Sequence, residues 1–310
     1  MDRTTLTYLV FGGVILLALV FDLGLLSKKD KVVTLREALL QTGFWVLLSV
    51  VFCGFIWFEK DSADAASYIS AYLLEWSLSI DNIFVFIIIF TFFKVKENNY
   101  SRVLLLGILM AIVFRIIFIA AGSVLVAKFE WIMYIFGAFL LYTGIKMFAS
   151  NEEEEFNPEK NWAYRIMQKF MRTTNEEPNG KFVIVKNKKA YFTRLAMVVV
   201  MLGLIDIVFA LDSIPAVFSV IPDPSKKLLI YSSNIFAVLG LRSMFFLLRN
   251  AADKFEFLQQ GIAVVLAFIG LKMLIDHWFH IPIWVSLLMI VVCISASVIY
   301  SVYHRAKRKK

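Results

Sequence analysis

The stretch EWSLSIDNIF, residues 75–84, decides how this chain is read. AASYISAYLL (65–74) precedes it and VFIIIFTFF (85–93) follows, so it lies inside one long apolar run. Yet it carries two carboxylates, Glu75 and Asp81, with two serines and an asparagine. A run of this length crosses a hydrocarbon core about 30 Å thick. A charge at the centre of such a span costs about 2.5–3.5 kcal/mol on insertion scales, so each carboxylate needs compensation.

Outward from this stretch the composition stays the same. Of 310 residues 60% are hydrophobic and only 18% charged, against about 25% charged in soluble domains. Nine apolar spans can be drawn: 6–26, 39–58, 66–93, 103–126, 131–149, 195–220, 229–248, 257–275 and 282–302. The pattern predicts an all-α polytopic membrane protein with about nine transmembrane helices. A β-barrel would instead show alternating segments of about ten residues. The first run lacks a basic leader region and an A-x-A cleavage site, so it reads as a retained span. Cys53 and Cys293 both lie in apolar spans without a C-x-x-C pair and read as small packing residues.

Lysine and arginine set the orientation. Alternate connecting segments hold 23 basic residues on one side and five on the other, with Arg115, Lys146, Arg242 and Lys272 inside spans. The basic side is cytoplasmic. The expected product is a multi-pass protein of the cytoplasmic (inner) membrane, with its N-terminus outside and its C-terminus inside. The net charge of +8 belongs mostly to cytoplasmic loops, which argues against a nucleic-acid partner. The tail HRAKRKK faces anionic lipid of the bilayer. The expected units are two N-terminal helices (1–65), a three-helix unit (66–149), a cytoplasmic linker (150–194), a second three-helix unit (195–275), and a last helix with its basic tail (276–310). Within the linker, PEKNWAYRIMQKFMR is patterned as an amphipathic helix and KFVIVKNKKAYF as a hairpin.

The two three-helix units share landmarks in the same order. Glu75, Asp81 and Asn82 match Asp206, Asp212 and Ser213. Arg115 matches Arg242, and Lys128-Phe129-Glu130 matches Lys254-Phe255-Glu256. Gly144-Ile145-Lys146-Met147 matches Gly270-Leu271-Lys272-Met273. Three spans per copy make the copies face opposite ways. That is the inverted repeat of secondary transporters, whose sites lie at the repeat interface near the midplane.

Two readings of the four acids stay open. They hold a cation in exchange for protons, with Arg115 and Arg242 trimming the charge, or they pair structurally with Arg115, Arg242, Lys146 and Lys272. On a helix, Glu75 and Asn82 share a face, as do Asp206 and Ser213, while Asp81 and Asp212 point about 100° away. Pro215 removes the amide that would bond the Leu211 carbonyl, so a local break there is expected to let the acids of one repeat converge. The lysines are expected to snorkel from the span ends. An all-oxygen donor set without Cys or His suits Mn²⁺, Mg²⁺ or Ca²⁺. Asp22 reads either as an auxiliary acid or as an interfacial one. Asp276-His277-x-x-His280 beside Trp278 reads as part of an interfacial belt. No nucleotide loop, H-E-x-x-H or nucleophile elbow appears, so no enzyme and no resident cofactor is expected.

Several strings together resemble the TerC family of integral membrane proteins. They are Tyr72 to Phe86 (YLLEWSLSIDNIFVF), Asp206 to Ala216 (DIVFALDSIPA), Phe21-Asp22-Leu23-Gly24, Ser233-Asn234-Ile235-Phe236-Ala237, Leu239-Gly240-Leu241-Arg242 and Gly270-Leu271-Lys272-Met273. The resemblance implies a nine-span relative of LysE-type transporters that exports Mn²⁺, with an older association with tellurite resistance. It makes Glu75, Asp81, Asn82, Asp206, Asp212 and Ser213 the metal site, with Asp22 as a helper. Arg115, Arg242 and Asn234 are carried as pathway or charge-balancing residues. Two departures stand out: family members often carry an acid where this chain has Gly203, and a Thr-Pro where it has Thr193-Arg194. A membrane scaffold or stress-response component with structural ion pairs, and a Ca²⁺/cation exchanger, are the competing functions.

Overall fold

The computed structural model describes residues 9, 11–16, 33–129, 131–149, 164–165, 169, 171–174, 180–186, 189–249, 257–279 and 281–308, with the side chains of Asp81, Arg305, Ala306 and Arg308 outside that description. Eight long helices follow one another: α1 (Leu35–Glu59), α2 (Ser62–Phe92), α3 (Glu97–Lys128), α4 (Ile132–Ala149), α5 (Arg194–Val220), α6 (Lys227–Arg249), α7 (Leu258–Ile275) and α8 (Ile283–Arg308). All eight are long and apolar enough to cross a membrane. They answer to the last eight expected spans. Most of the first, 6–26, and Asp22 with it, lies outside the described residues. The protein is an all-α, multi-pass integral membrane protein.

Helix starts follow ordinary capping chemistry. Thr34 opens α1 with a reciprocal box: its hydroxyl accepts from the Glu37 amide at 3.3 Å, and the Glu37 carboxylate accepts from the Thr34 amide at 3.0 Å. Asp61 caps α2 by accepting the Asp64 amide at 2.6 Å. Lys226, in the α5–α6 loop, donates to Asp64 at 2.5 Å and ties that loop to the start of α2. This hydrogen bond pushes the Lys226 ammonium above the ordinary lysine value.

Helix α6 is the central post, buried on nearly every side from Leu228 to Leu248. An apolar helix covered all round belongs at the middle of a bundle. Helices α1, α2 and α3 pack around it. Helix α8 stands at the rim and exposes Leu288, Val292 and Ile299, as a lipid-facing helix does.

Lipid tails are as apolar as leucine, so helices in a bilayer associate through close packing rather than through burial from water. Three contacts show this here. Helices α3 and α5 run parallel, with Leu202 against Gly107 and Phe218 against Gly122. Helices α2 and α6 pack along each other, with Phe90 against Phe245. Helices α4 and α7 run antiparallel and nearly touch backbone to backbone. A Cβ on Gly144 would lie 2.6 Å from the Ala267 amide nitrogen and 2.7 Å from the Ala263 carbonyl oxygen. One on Gly270 would lie 2.4 Å from the Leu141 amide nitrogen and 2.6 Å from the Gly137 carbonyl oxygen. The offset of 126 that takes Gly144 to Gly270 also takes Gly137 to Ala263 and Leu141 to Ala267. The two sets of contacts therefore exchange under one offset, as a pseudo-two-fold axis between two three-helix units would require.

The linker hairpin forms where its alternation predicts it. Strand β1 (Val183–Lys186) pairs antiparallel with β2 (Lys189–Phe192), Val183 opposite Phe192. Arg102, near the start of α3, donates to the Gly180 carbonyl at 3.2 Å and lies over the Phe182 ring at 5.3 Å. The hairpin is thus seated on one end of α3. Of the expected amphipathic helix, only Tyr164, Arg165 and Lys169 are described as helical.

The α4–α7 contact makes a prediction. Gly144→Ala and Gly270→Ala should each destabilise the protein by about 1–3 kcal/mol, read as a lower melting temperature in detergent. Gly54→Ala, whose would-be Cβ has no described atom of another element within 4 Å, should leave stability unchanged or raise it by up to about 1 kcal/mol.

Candidate functional site

Arg115 projects from the middle of α3 and is 1% exposed. Its guanidinium meets groups from three other helices. From α5, Asp206 accepts twice: Nε to Oδ2 at 3.0 Å and Nη2 to Oδ1 at 3.1 Å. From α2, Glu75 accepts from Nη1 through Oε1. From α6, Asn234 Oδ1 accepts from Nη1 at 3.2 Å, and its own amide nitrogen donates to the Ile230 carbonyl at 3.2 Å. Ser213, on the Asp206 face of α5, accepts from Nη1 at 3.4 Å. The Ser79 hydroxyl donates to Glu75 Oε1 at 3.5 Å. Among the described residues, the buried Glu75 Oε2 has no hydrogen-bond partner.

Position explains the cost of this cluster. Asp206 lies near the middle of α5 and Glu75 near the middle of α2, and both are fully buried. A planar fork satisfies a carboxylate twice, which is why an arginine rather than a lysine serves here. Among the described residues the contacting ionisable groups are two carboxylates and one guanidinium, so ionised together they carry a formal charge of −1. In a low-dielectric interior such a surplus calls for a proton or a cation.

The arrangement corrects three expectations. First, the acids of one repeat do not meet at Pro215. Helix α5 runs unbroken through Pro215, because α2, α3, α4 and α7 all pack on it and hold its axis. It is the leading acids of the two repeats, Glu75 and Asp206, that converge. Second, Asp212 turns away from that cluster and accepts from Thr143 of α4 at 3.3 Å. Nothing in the pattern around Thr143 marked it beforehand. Third, Lys272 does not snorkel. It is 8% exposed and donates to Ser286 of α8 at 3.0 Å, whereas its counterpart Lys146 is exposed.

The remaining candidates divide as follows. Asn82 is buried at 5% exposure, seven residues along α2 from Glu75. Arg242 is buried in α6. The backbone of Asp81 belongs to α2, and its side chain lies outside the described residues. The space before Gly203, one turn from Asp206, is filled from α3: a Cβ there would fall 1.9 Å from Met110 Cε. Among the described residues no group of three or more His, Cys, Asp or Glu side chains stands ready-made for a metal.

The profile of the "Integral membrane protein TerC family" matches residues 60–309. This chain belongs to the TerC family. The match begins just before α2 and takes in every residue of the Arg115 cluster. An "Uncharacterized membrane protein" of Rickettsia felis is 37% identical over 300 residues, covering 97% of this chain and 98% of the relative. The "Uncharacterized membrane protein STKORF319" of Myxococcus xanthus is 40% identical over 291 residues, covering 94% and 90%. The "Putative membrane-bound redox modulator Alx" of Escherichia coli strain K12 is 41% identical over 297 residues, covering 92% and 91%. No solved structure matches this TerC chain significantly.

The cluster predicts a specific stability pattern. Arg115→Met strands two buried carboxylates and should cost about 3–5 kcal/mol, read as a loss of melting temperature or of folded yield in detergent. Adding Glu75→Gln and Asp206→Asn to Arg115→Met should restore much of that loss. An Arg115→Met protein that melts like the wild type would contradict the geometry.

Proposed function

We propose that this protein is a secondary transporter that exports a divalent metal cation, Mn²⁺ first, in exchange for protons or another cation. The observation that carries the reading is the Glu75–Arg115–Asp206 cluster. Two buried carboxylates from matching positions of two three-helix units share one guanidinium, and they are left with one uncompensated negative charge. A protein with a purely structural ion pair has no need of the second carboxylate. A transporter does, because a proton and a metal can each fill that deficit in turn. Carboxylates must be deprotonated to hold a metal, so binding releases protons and couples the two ions. In this reading the units form an inverted repeat, the site lies near the membrane midplane, and the hairpin end of α3 is cytoplasmic. Glu75, Asp206, Asn234 and Ser213 form one station. Asp212, with Thr143, forms a second, and Asp81 is the repeat counterpart of Asp212.

The oxygen-rich donors favour Mn²⁺, Mg²⁺ or Ca²⁺ over softer ions. The name of the Escherichia coli relative suggests a redox role for that protein. In this chain Cys53 and Cys293 are both free, and Cys53 donates to the Ala65 carbonyl at 3.5 Å.

The decisive test is uptake of radioactive Mn²⁺ into inverted vesicles, with and without a pH gradient. Wild-type vesicles should accumulate Mn²⁺ in a gradient-dependent way. Asp81→Ala and Asp212→Ala should reduce uptake at least about tenfold at unchanged protein level. Wild-type-like uptake by both variants would overturn the proposal. Loss of protein from the membrane without any metal-dependent phenotype would favour a scaffold, and Ca²⁺ outcompeting Mn²⁺ would favour a calcium exchanger.

A further inference from the structure

Most buried polar atoms in a folded protein find a hydrogen-bond partner, and a group of exceptions in one place needs an explanation. Five such atoms fall on α1 and α2: Gln41 Oε1, Thr42 Oγ1, Tyr72 Oη, Glu75 Oε2 and Trp76 Nε1. Gln41 is 5% exposed and Glu75 fully buried.

Their placement follows from helix geometry. Only Lys60 and Asp61 separate α1 from α2, so the two helices run antiparallel. Ser49 of α1 and Tyr68 of α2 are hydrogen-bonded at 2.9 Å. Eight residues back along α1 from Ser49 is Gln41, and eight residues on along α2 from Tyr68 is Trp76. Equal rise per residue brings Gln41 level with Trp76. Gly240 of α6 lies against both helices within one turn of this level. A Cβ there would lie 3.8 Å from Trp45 Cβ and 3.9 Å from Trp76 Nε1. Trp45 is one turn from Gln41 on the same buried stripe. An indole donor and an amide acceptor thus face one level of the bundle without bonding each other, and Glu75 Oε2 stands one residue along α2.

We infer that the α1–α2 interface beside Gln41 and Trp76 is a hydrated compartment that delivers a hydrated divalent cation to the open oxygen of Glu75. The oxygens of Gln41, Thr42 and Glu75 are hard donors of the kind such a cation takes. The indole N–H suits a water of its shell, which it can bind as a donor. Arg115 occupies Glu75 Oε1, which leaves Oε2 for the cation. Helix α1 lies outside both three-helix units, which gives it a role that the repeat alone does not supply. The inference rests on the transport reading for the identity of its cargo, while the presence of water at this interface can be tested without it.

The test is cysteine accessibility in the full-length protein, in a Cys53→Ala/Cys293→Ala background. Thr42→Cys should react with a charged, membrane-impermeant methanethiosulfonate at least about tenfold faster than Leu47→Cys, whose wild-type side chain faces outward at 62% exposure. Millimolar Mn²⁺ should slow the Thr42→Cys reaction. Gln41→Leu should raise the KM for Mn²⁺ uptake about tenfold, with the melting temperature unchanged or higher, because it removes a polar atom that has no partner. Thr42→Cys reacting no faster than Leu47→Cys, or reacting without protection by Mn²⁺, overturns the inference, whatever the vesicle assay gives. Absence of Mn²⁺ uptake by the wild type would count against the transport reading instead.

Discussion

One guanidinium shared by two carboxylates holds the middle of this protein together. Arg115 brings α3 to α5 through Asp206, to α2 through Glu75 and to α6 through Asn234. Removing Arg115 leaves two buried carboxylates without their counterion, so the guanidinium is the member of the cluster that tolerates change least. The surrounding packing serves the same end. Glycines at 107 and 122 let α3 and α5 approach closely enough for the fork to reach Asp206, and the enclosed α6 offers Asn234 from a rigid position.

The segments that match in sequence are chemically unequal in the structure. The leading acids of the two units both go to Arg115 of the first unit. The two lysines of the repeated Gly-x-Lys-Met motif part ways, Lys146 at the surface and Lys272 inside against Ser286. Helices α4 and α7 make glycine contacts that exchange under one offset, while the side chains of the matched sequence segments differ. Met110 over Gly203 is another such case. Where family members often carry an acid, this chain places a thioether from a neighbouring helix, and no carboxylate is added beside Asp206.

Much of the fold was legible in the sequence because hydropathy is a local property. Each of the eight described helices contains or closely follows an apolar run, and the alternation of KFVIVKNKKAYF is a two-residue pattern that names a hairpin on its own. The residue types of the site were legible too, since Glu75, Arg115, Asp206 and Asn234 interrupt apolar runs. What could not be read was who meets whom. The six-residue spacing of Asp206 and Asp212 was legible, but the breadth of packing that keeps α5 straight through Pro215 is tertiary. Thr143 looks like any small residue in an apolar helix until α4 is placed against α5. The unpartnered atoms on Gln41 and Trp76 carry no sequence signal, because a polar atom is without a partner only in three dimensions.

In the proposed mechanism a proton and a metal exchange at the deficit of charge on Glu75 and Asp206. The most direct measurement is the number of protons released when Mn²⁺ is added to the purified protein in weakly buffered detergent. About one proton per bound Mn²⁺ is the predicted release from the wild type, falling to none in Glu75→Gln. Mn²⁺ binding with no proton release, or the same release from Glu75→Gln, would contradict it.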